Sequence, residues 1–325
     1  MEPILSQLLG SPDHYFHSFD GNDAIFVPMD RVAYRRSIFL DRRISAANEG
    51  TMRVPVATLD SPSAALPTGW IFHVAHCGST LLARGLDELS SANLVLREPL
   101  ALRQLALSPD PEKLKLALSL LSKRYPGTGA TVIKANVPVN FLLDAIANAD
   151  SQAAVILLYC GLSDYLLAIL RSANHRTWLR NVTSQLVGPL GDLSHLPDAE
   201  LGAALWRAQM RRFAATVKRM PNARSLDAEH FFGNPRETLS SAAKHFGMET
   251  NQAAIEAIVS GPLFATYSKN PVQPFDNNAR IQRREALVTE ISEELAEGQR
   301  WIGNNAADVD AIMACIIEAK LGIKP

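Results

Sequence analysis

Residues 70–86 read WIFHVAHCGSTLLARGL. The opening WIFHVA is a short apolar run of aromatic and β-branched side chains, the composition of a buried strand. Gly78, Ser79 and Thr80 make a short loop, and STLLARGLDELSS continues as a helix. A strand that turns tightly into a helix leaves the first helical N–H groups unpaired, at the positive end of the helix dipole. A phosphate or sulfate fits such a place, and the Ser79 and Thr80 hydroxyls add hydrogen-bonding capacity. The Walker A spacing GxxxxGK[ST] is not met, because its first glycine is missing and Ser, not Lys, follows Gly78. Read alone, the segment is equally a strand–helix turn with a capping hydroxyl.

The same alternation repeats downstream. ATVIK (130–134) is a second strand, and VNFLLDAIANA after Pro138 a helix. AAVILLY (153–159) is nearly all apolar, as central parallel strands are. SDYLLAILRS follows, with Ser163 or Asp164 as the expected N-cap. ARSLD (223–227) is a fourth strand. Asn234-Pro235-Arg236-Glu237 resembles a capping box with Pro at N1, and its helix runs to about Phe246 with Gly247 at C′. Segments 111–124, 199–220 and 280–302 read as amphipathic helices. The last is basic at Arg280, Arg283 and Arg284 and acidic at Glu290, Glu293, Glu294 and Glu297, which reads most simply as a solvated face. The expected fold class is therefore α/β, a parallel sheet flanked by helices on both faces. Residues 1–66 look different. DAIFVPMD and RSIFLDRRI suggest short strands, and TLDSPSAALPTG (58–69) reads as a linker. The expected organisation is a small β-containing extension over 1–66 and an α/β domain over 67–325.

Composition sets outer limits on function. The 325 residues are 47% apolar and 20% charged, which excludes a disordered chain. Lys+Arg is 32 against 33 Asp+Glu, without the basic excess of a general nucleic-acid binder; a local basic pocket remains compatible. Cys77, Cys160 and Cys315 are far apart and form no CxxC pair, which argues against a zinc ribbon or a disulfide scaffold and for a reducing compartment. Cys160 sits between a strand and a helix, where a helix N-terminus would lower a thiol pKa. The pairs His14/His17 and His73/His76 lack a third ligand, so no metal is expected. The N-terminus has no basic n-region and no apolar run reaches 18 residues, so neither a signal peptide nor a membrane span is expected, and the expected location is cytoplasmic.

AHCGSTLL resembles the 5′-phosphosulfate loop of sulfotransferases, a strand followed by [KR]SGT[ST]-L or similar. Further segments are similar in the same order. LREPLALRQL (96–105) resembles the acidic segment after the first helix. TVIKANVPVNFLLDAI (131–146) resembles a K-x-P segment followed by a helix, with Pro138 four residues after Lys134. SLDAEHFFGNPRETLSSAAKHFGM (225–248) resembles the family's Y-E-D-L … P … helix … F-L-G segment, and TYSKNP (266–271) continues the series. The resemblance implies a P-loop-like, sulfotransferase-type fold. It implies sulfuryl transfer from 3′-phosphoadenosine 5′-phosphosulfate (PAPS) to a hydroxyl or amine of a small-molecule or conjugate acceptor.

By that resemblance Cys77, Gly78, Ser79, Thr80 and Leu81 hold the donor's 5′-phosphate. His76 stands where the family has Lys or Arg, as a partly cationic donor near neutral pH. Glu98, at the end of the apolar run NLVL, is the expected general base. Its plainer reading is a surface pair with Arg97. Lys134, directly after its strand, stabilises the leaving oxygen. Ser268 and Lys269 resemble a late donor-touching segment, and Asp227 and Glu229 an acidic segment that is more often structural. The family's 3′-phosphate Arg and Ser are replaced here by Cys160 and Ala168; Arg171 and Ser172 lie one turn further on as the expected substitutes. His175, Arg176, Trp178 and Arg180 either line a pocket or end a helix. Alternatives to the enzyme are a catalytically silent anion- or nucleotide-binding relative and a small-molecule kinase using ATP.

Overall fold

The computed structural model describes residues 2–59, 65–305 and 307–322; residues 60–64 of the expected linker lie outside the described residues. β1 (His14–Asp20), β2 (Asp23–Pro28) and β3 (Met52–Pro55) pair antiparallel in the order β1-β2-β3. Period-two alternation puts Ala24 and Phe26 wholly inside. The expected strand in RSIFLDRRI does not form. Ser37 closes the Arg31–Arg36 helix by donating its N–H to Ala33, and the Asp41 carboxylate turns the chain by accepting from the Arg43 N–H at 3.0 Å. These local bonds win over a sheet ladder.

β4 (Thr68–His73), β5 (Val95–Arg97), β6 (Thr131–Lys134), β7 (Val155–Tyr159) and β8 (Ala223–Asp227) form a parallel sheet in the order β5-β6-β4-β7-β8. β7 is buried along its whole length, as a strand covered on both faces must be. β4 is central: its next two strands lie to one side and the last two to the other. The crevice beyond its carboxyl end is therefore the topological switch point, where α/β sheets bind ligands.

Helices Ser79–Glu88, Leu162–Leu170, Asp198–Arg219 and Pro235–His245 stand close to their expected spans. Three local expectations fail. The 162–170 helix is capped by Gly161, without a side-chain bond; Ser163 accepts from Gln299 Nε2 at 3.0 Å and Asp164 pairs with Arg284 at 2.6 Å. Asn234 makes no capping bond either, so the capping box is absent. The single helix expected over 280–302 is two, Asn277–Glu290 and Ser292–Asn305, broken where Ile291 leaves helical dihedrals and turns into the core.

The two sheets share one hydrophobic core. They also share Arg97, whose guanidinium is almost fully buried. It pairs with Asp87 at 2.9 Å and donates to the carbonyls of Tyr34, Arg35 and Ser37 at the end of the 31–36 helix. Lys123, also buried, donates to the carbonyls of Leu8 and His14. Among the described residues no helix is long and apolar enough to cross a membrane.

Candidate functional site

The loop after β4 is shaped by His73. Its Nδ1 accepts from the Ala75 N–H at 3.0 Å and its Nε2 donates to the Ala135 carbonyl at 2.9 Å. Asn140 ties the His73 carbonyl to Gln209. The chain then passes through left-handed backbone at Ala75, His76 and Gly78, with φ of 79°, 52° and 85°. Two of these are not glycines, a strained arrangement that clusters at functional sites. Gly78 is the N-cap of the 79–88 helix and offers no side-chain acceptor, so the first N–H groups of that helix stay available.

That loop forms one wall of a cavity of ≈ 390 Å³ at the sheet's carboxyl edge. Cys77, Gly78, Ser79, Thr80 and Leu81 all line it, as do His76, Arg171, Ser268 and Lys269. Thr80 Oγ1 is buried there without a hydrogen-bond partner. A buried hydroxyl left unpaired in a native fold needs an explanation, and a ligand oxygen supplies one. Cys160 and Ala168 line the cavity too.

A further part of the lining contains the expected Ser268 and Lys269. β9 (Thr266–Tyr267) and β10 (Asn270–Pro274) form a hairpin that brings Tyr267, Ser268 and Lys269 to the cavity. The 277–290 helix turns Arg280, Arg283 and Arg284 toward it, correcting the reading of this basic stretch as a solvated face. Arg280 forks onto Glu229 at 2.6 and 2.8 Å and lies 4.3 Å over the Phe232 ring. Arg284 is paired with Asp164. Phe232, Phe264 and Phe275 supply flat apolar surface. The spacing 280, 283, 284 was the available signal, since these positions share one helical face.

Arg171, Arg283 and Lys269 line the cavity and carry no ion pair with a carboxylate among the described residues. Lys269 is open to the cavity by surface area, yet surrounding protein and then Arg171 lower its pKa, opposed by Glu98. His76 is corrected to a neutral imidazole: burial, then Lys269, His175 and Arg171, push its pKa well below the usual value.

Glu98 and Lys134 meet, in a different way from the one expected. The Arg97–Lys134 register of β5 and β6 sets the ends of these strands side by side. Glu98, with φ of 57°, donates its N–H to the Lys134 carbonyl at 2.7 Å, and its carboxylate ion-pairs with the buried Lys134 ammonium. Arg43 lies 4.0 Å from the other carboxylate oxygen. Glu98 is thus no surface partner of Arg97, which points inward to Asp87. Neither Glu98 nor Lys134 lines the cavity; the pair is coupled to it only through the charge of Lys269, which does. Burial lowers the Lys134 pKa and Glu98 opposes the shift. Cys160 is corrected as well: burial pushes its thiol far up, so the helix terminus does not activate it. Cys77 is pushed up to about 11 by burial, and its Sγ faces the Leu158 carbonyl. Asp227 caps the Ala228–Gly233 helix. Among the described residues no group of three or more His, Cys, Asp or Glu is placed to hold a metal ion.

No protein-family profile matches the chain, and no curated protein does. Among solved structures it is similar to the sulfotransferase domain from the curacin biosynthetic pathway. The identity is 9% and the TM-score 0.41, covering 70% of this chain and 98% of that one. It is similar also to a sulfotransferase from Alicyclobacillus acidocaldarius, at 12% identity and TM-score 0.41, covering 74% and 96%. At such values the likenesses carry no functional weight.

Proposed function

We propose that this chain is a sulfotransferase-like enzyme that binds PAPS in the cavity at the switch point and transfers its sulfuryl group to a hydroxyl or amine. The observation that supports it most is the cavity itself, with free helical N–H groups on one wall and carboxylate-free cations on the other. The donor's 5′-phosphosulfate lies on residues 77–81, where the orphaned Thr80 hydroxyl gains a partner. Its adenine takes the phenylalanine surface. Arg171 and Arg283 receive the 3′-phosphate in place of the family's arginine and serine.

The acceptor oxygen attacks sulfur as the bond from sulfur to the bridging oxygen breaks. The acceptor proton passes to Glu98, and the 3′,5′-bisphosphate leaves with the bond electrons. Lys269, which lines the cavity, offsets the charge that develops on the bridging oxygen. One observation favours a second reading, a silent anion-binding relative: the Lys134 ammonium is already held by Glu98.

Thermal-shift titration with adenosine 3′,5′-bisphosphate, against AMP and Mg-ATP, tests the site. At a hundredfold excess over Kd, a ligand adds about 2.7 kcal/mol of stability, a shift of about 2–4 °C per kcal/mol for a chain of this size. Selective stabilisation by the bisphosphate is expected. A response to Mg-ATP alone would turn the assignment to a kinase, and binding without turnover of labelled donor over an acceptor panel to the silent relative.

A further inference from the structure

His175 stands on the Ala173–Gln185 helix, directly behind Arg171. Arg171 Nε lies 3.0 Å and Nη2 2.6 Å from His175 Nε2. A guanidinium has donors only, so Nε2 must be the bare, accepting nitrogen. The ring proton is then on Nδ1, which donates to Ser172 Oγ at 2.6 Å. The same Oγ caps the 173–185 helix. The imidazole is held in place by the His76 ring at 4.8 Å, itself edge-on to Trp178 at 5.6 Å.

From this geometry we infer that His175 is a positioning residue: its bare Nε2 grips the Nε–Nη2 edge of Arg171 so that Nη1 faces an anionic group of the bound ligand. The inference rests on the cavity being the donor site proposed above. Arg171 Nη2 also donates to Tyr267 Oη at 3.4 Å, which leaves Nη1 as the open nitrogen of a side chain that lines the cavity. The charged and titratable groups around His175 are Arg171 before its helix, His76 from the loop, Lys269 from the hairpin and Arg283 from the 277–290 helix. The cations among them oppose protonation, and burial ahead of them pushes the His175 pKa down to about 4. A proton on Nε2 would set donor against donor and release Arg171.

Two measurements test this on the full-length protein. Nitrogen-detected NMR of the imidazoles should find His175 with Nδ1 protonated and Nε2 bare, without titration near neutral pH. Calorimetric titration should then show His175→Phe losing about tenfold in affinity for adenosine 3′,5′-bisphosphate, the scale of one mis-set charged hydrogen bond. AMP affinity should hold, and His175→Gln, whose amide oxygen can accept from Arg171, should stay near wild type. An Nε2-protonated tautomer, titration near the ordinary histidine value, or full bisphosphate affinity in His175→Phe overturns the inference while the donor site stands. Failure of the wild type to bind the bisphosphate overturns both.

Discussion

Glu98 shows why single side chains decide this site. It is a non-glycine in left-handed backbone, held by the Lys134 carbonyl at its N–H and by the Lys134 ammonium at its carboxylate. Glu98→Gln keeps an oxygen for Lys134 and removes the base. The expected outcome is a rate loss of roughly 10²–10⁴-fold, with bisphosphate affinity kept. A folded variant that binds the ligand and turns over at the wild-type rate removes Glu98 from the chemistry. The sequence singled out both residues of this pair, yet not their contact. They are 36 positions apart, and only the β5–β6 register brings them together. The state of His76 was equally hidden, because the burial that keeps it neutral, and after it the cations, come from distant segments.

At the scale of elements, β4, β6, β7 and β8 were legible in the sequence, most clearly β7 as a short apolar run; β5, only three residues long, was not read as a strand. The loop after β4 was legible as an anion site from Gly78, Ser79 and Thr80. Its strain was not, since Ala75 and His76 carry no signal for left-handed backbone. The cationic wall was misread because the 280–302 pattern looks continuous in sequence while Ile291 breaks it. Gly78 offers the test at this scale. Its φ of 85° disfavours any side chain, and an added Cβ would lie 2.8 Å from Phe232 Cζ. Gly78→Ala should therefore cost roughly 1–3 kcal/mol, read as a lowered melting temperature, and should weaken bisphosphate binding. An unchanged melting temperature would show that the loop relaxes freely and that its backbone is not held as described.

The whole molecule stores neutral forms of basic groups. Burial lowers His73 and His76 well below the ordinary histidine pKa, takes His175 to about 4 and takes Lys123 to about 7. Each folded pKa lies below its unfolded value, so between the two the unfolded chain binds more protons and stability rises with pH. For the histidines that window ends near 6.5 and stability is lost as pH falls through it; for Lys123 the rise runs from about 7 toward 10.5. Urea midpoints should fall between about pH 7 and about pH 5. A flat profile there would mean that these imidazoles are not held neutral by the fold.

Arg97 carries one more consequence. A splice drawn between β3 and β4, where the composition invites one, leaves the guanidinium on one fragment and the carbonyls of Tyr34, Arg35 and Ser37 on the other. For recombination, the two sheets are a single cassette.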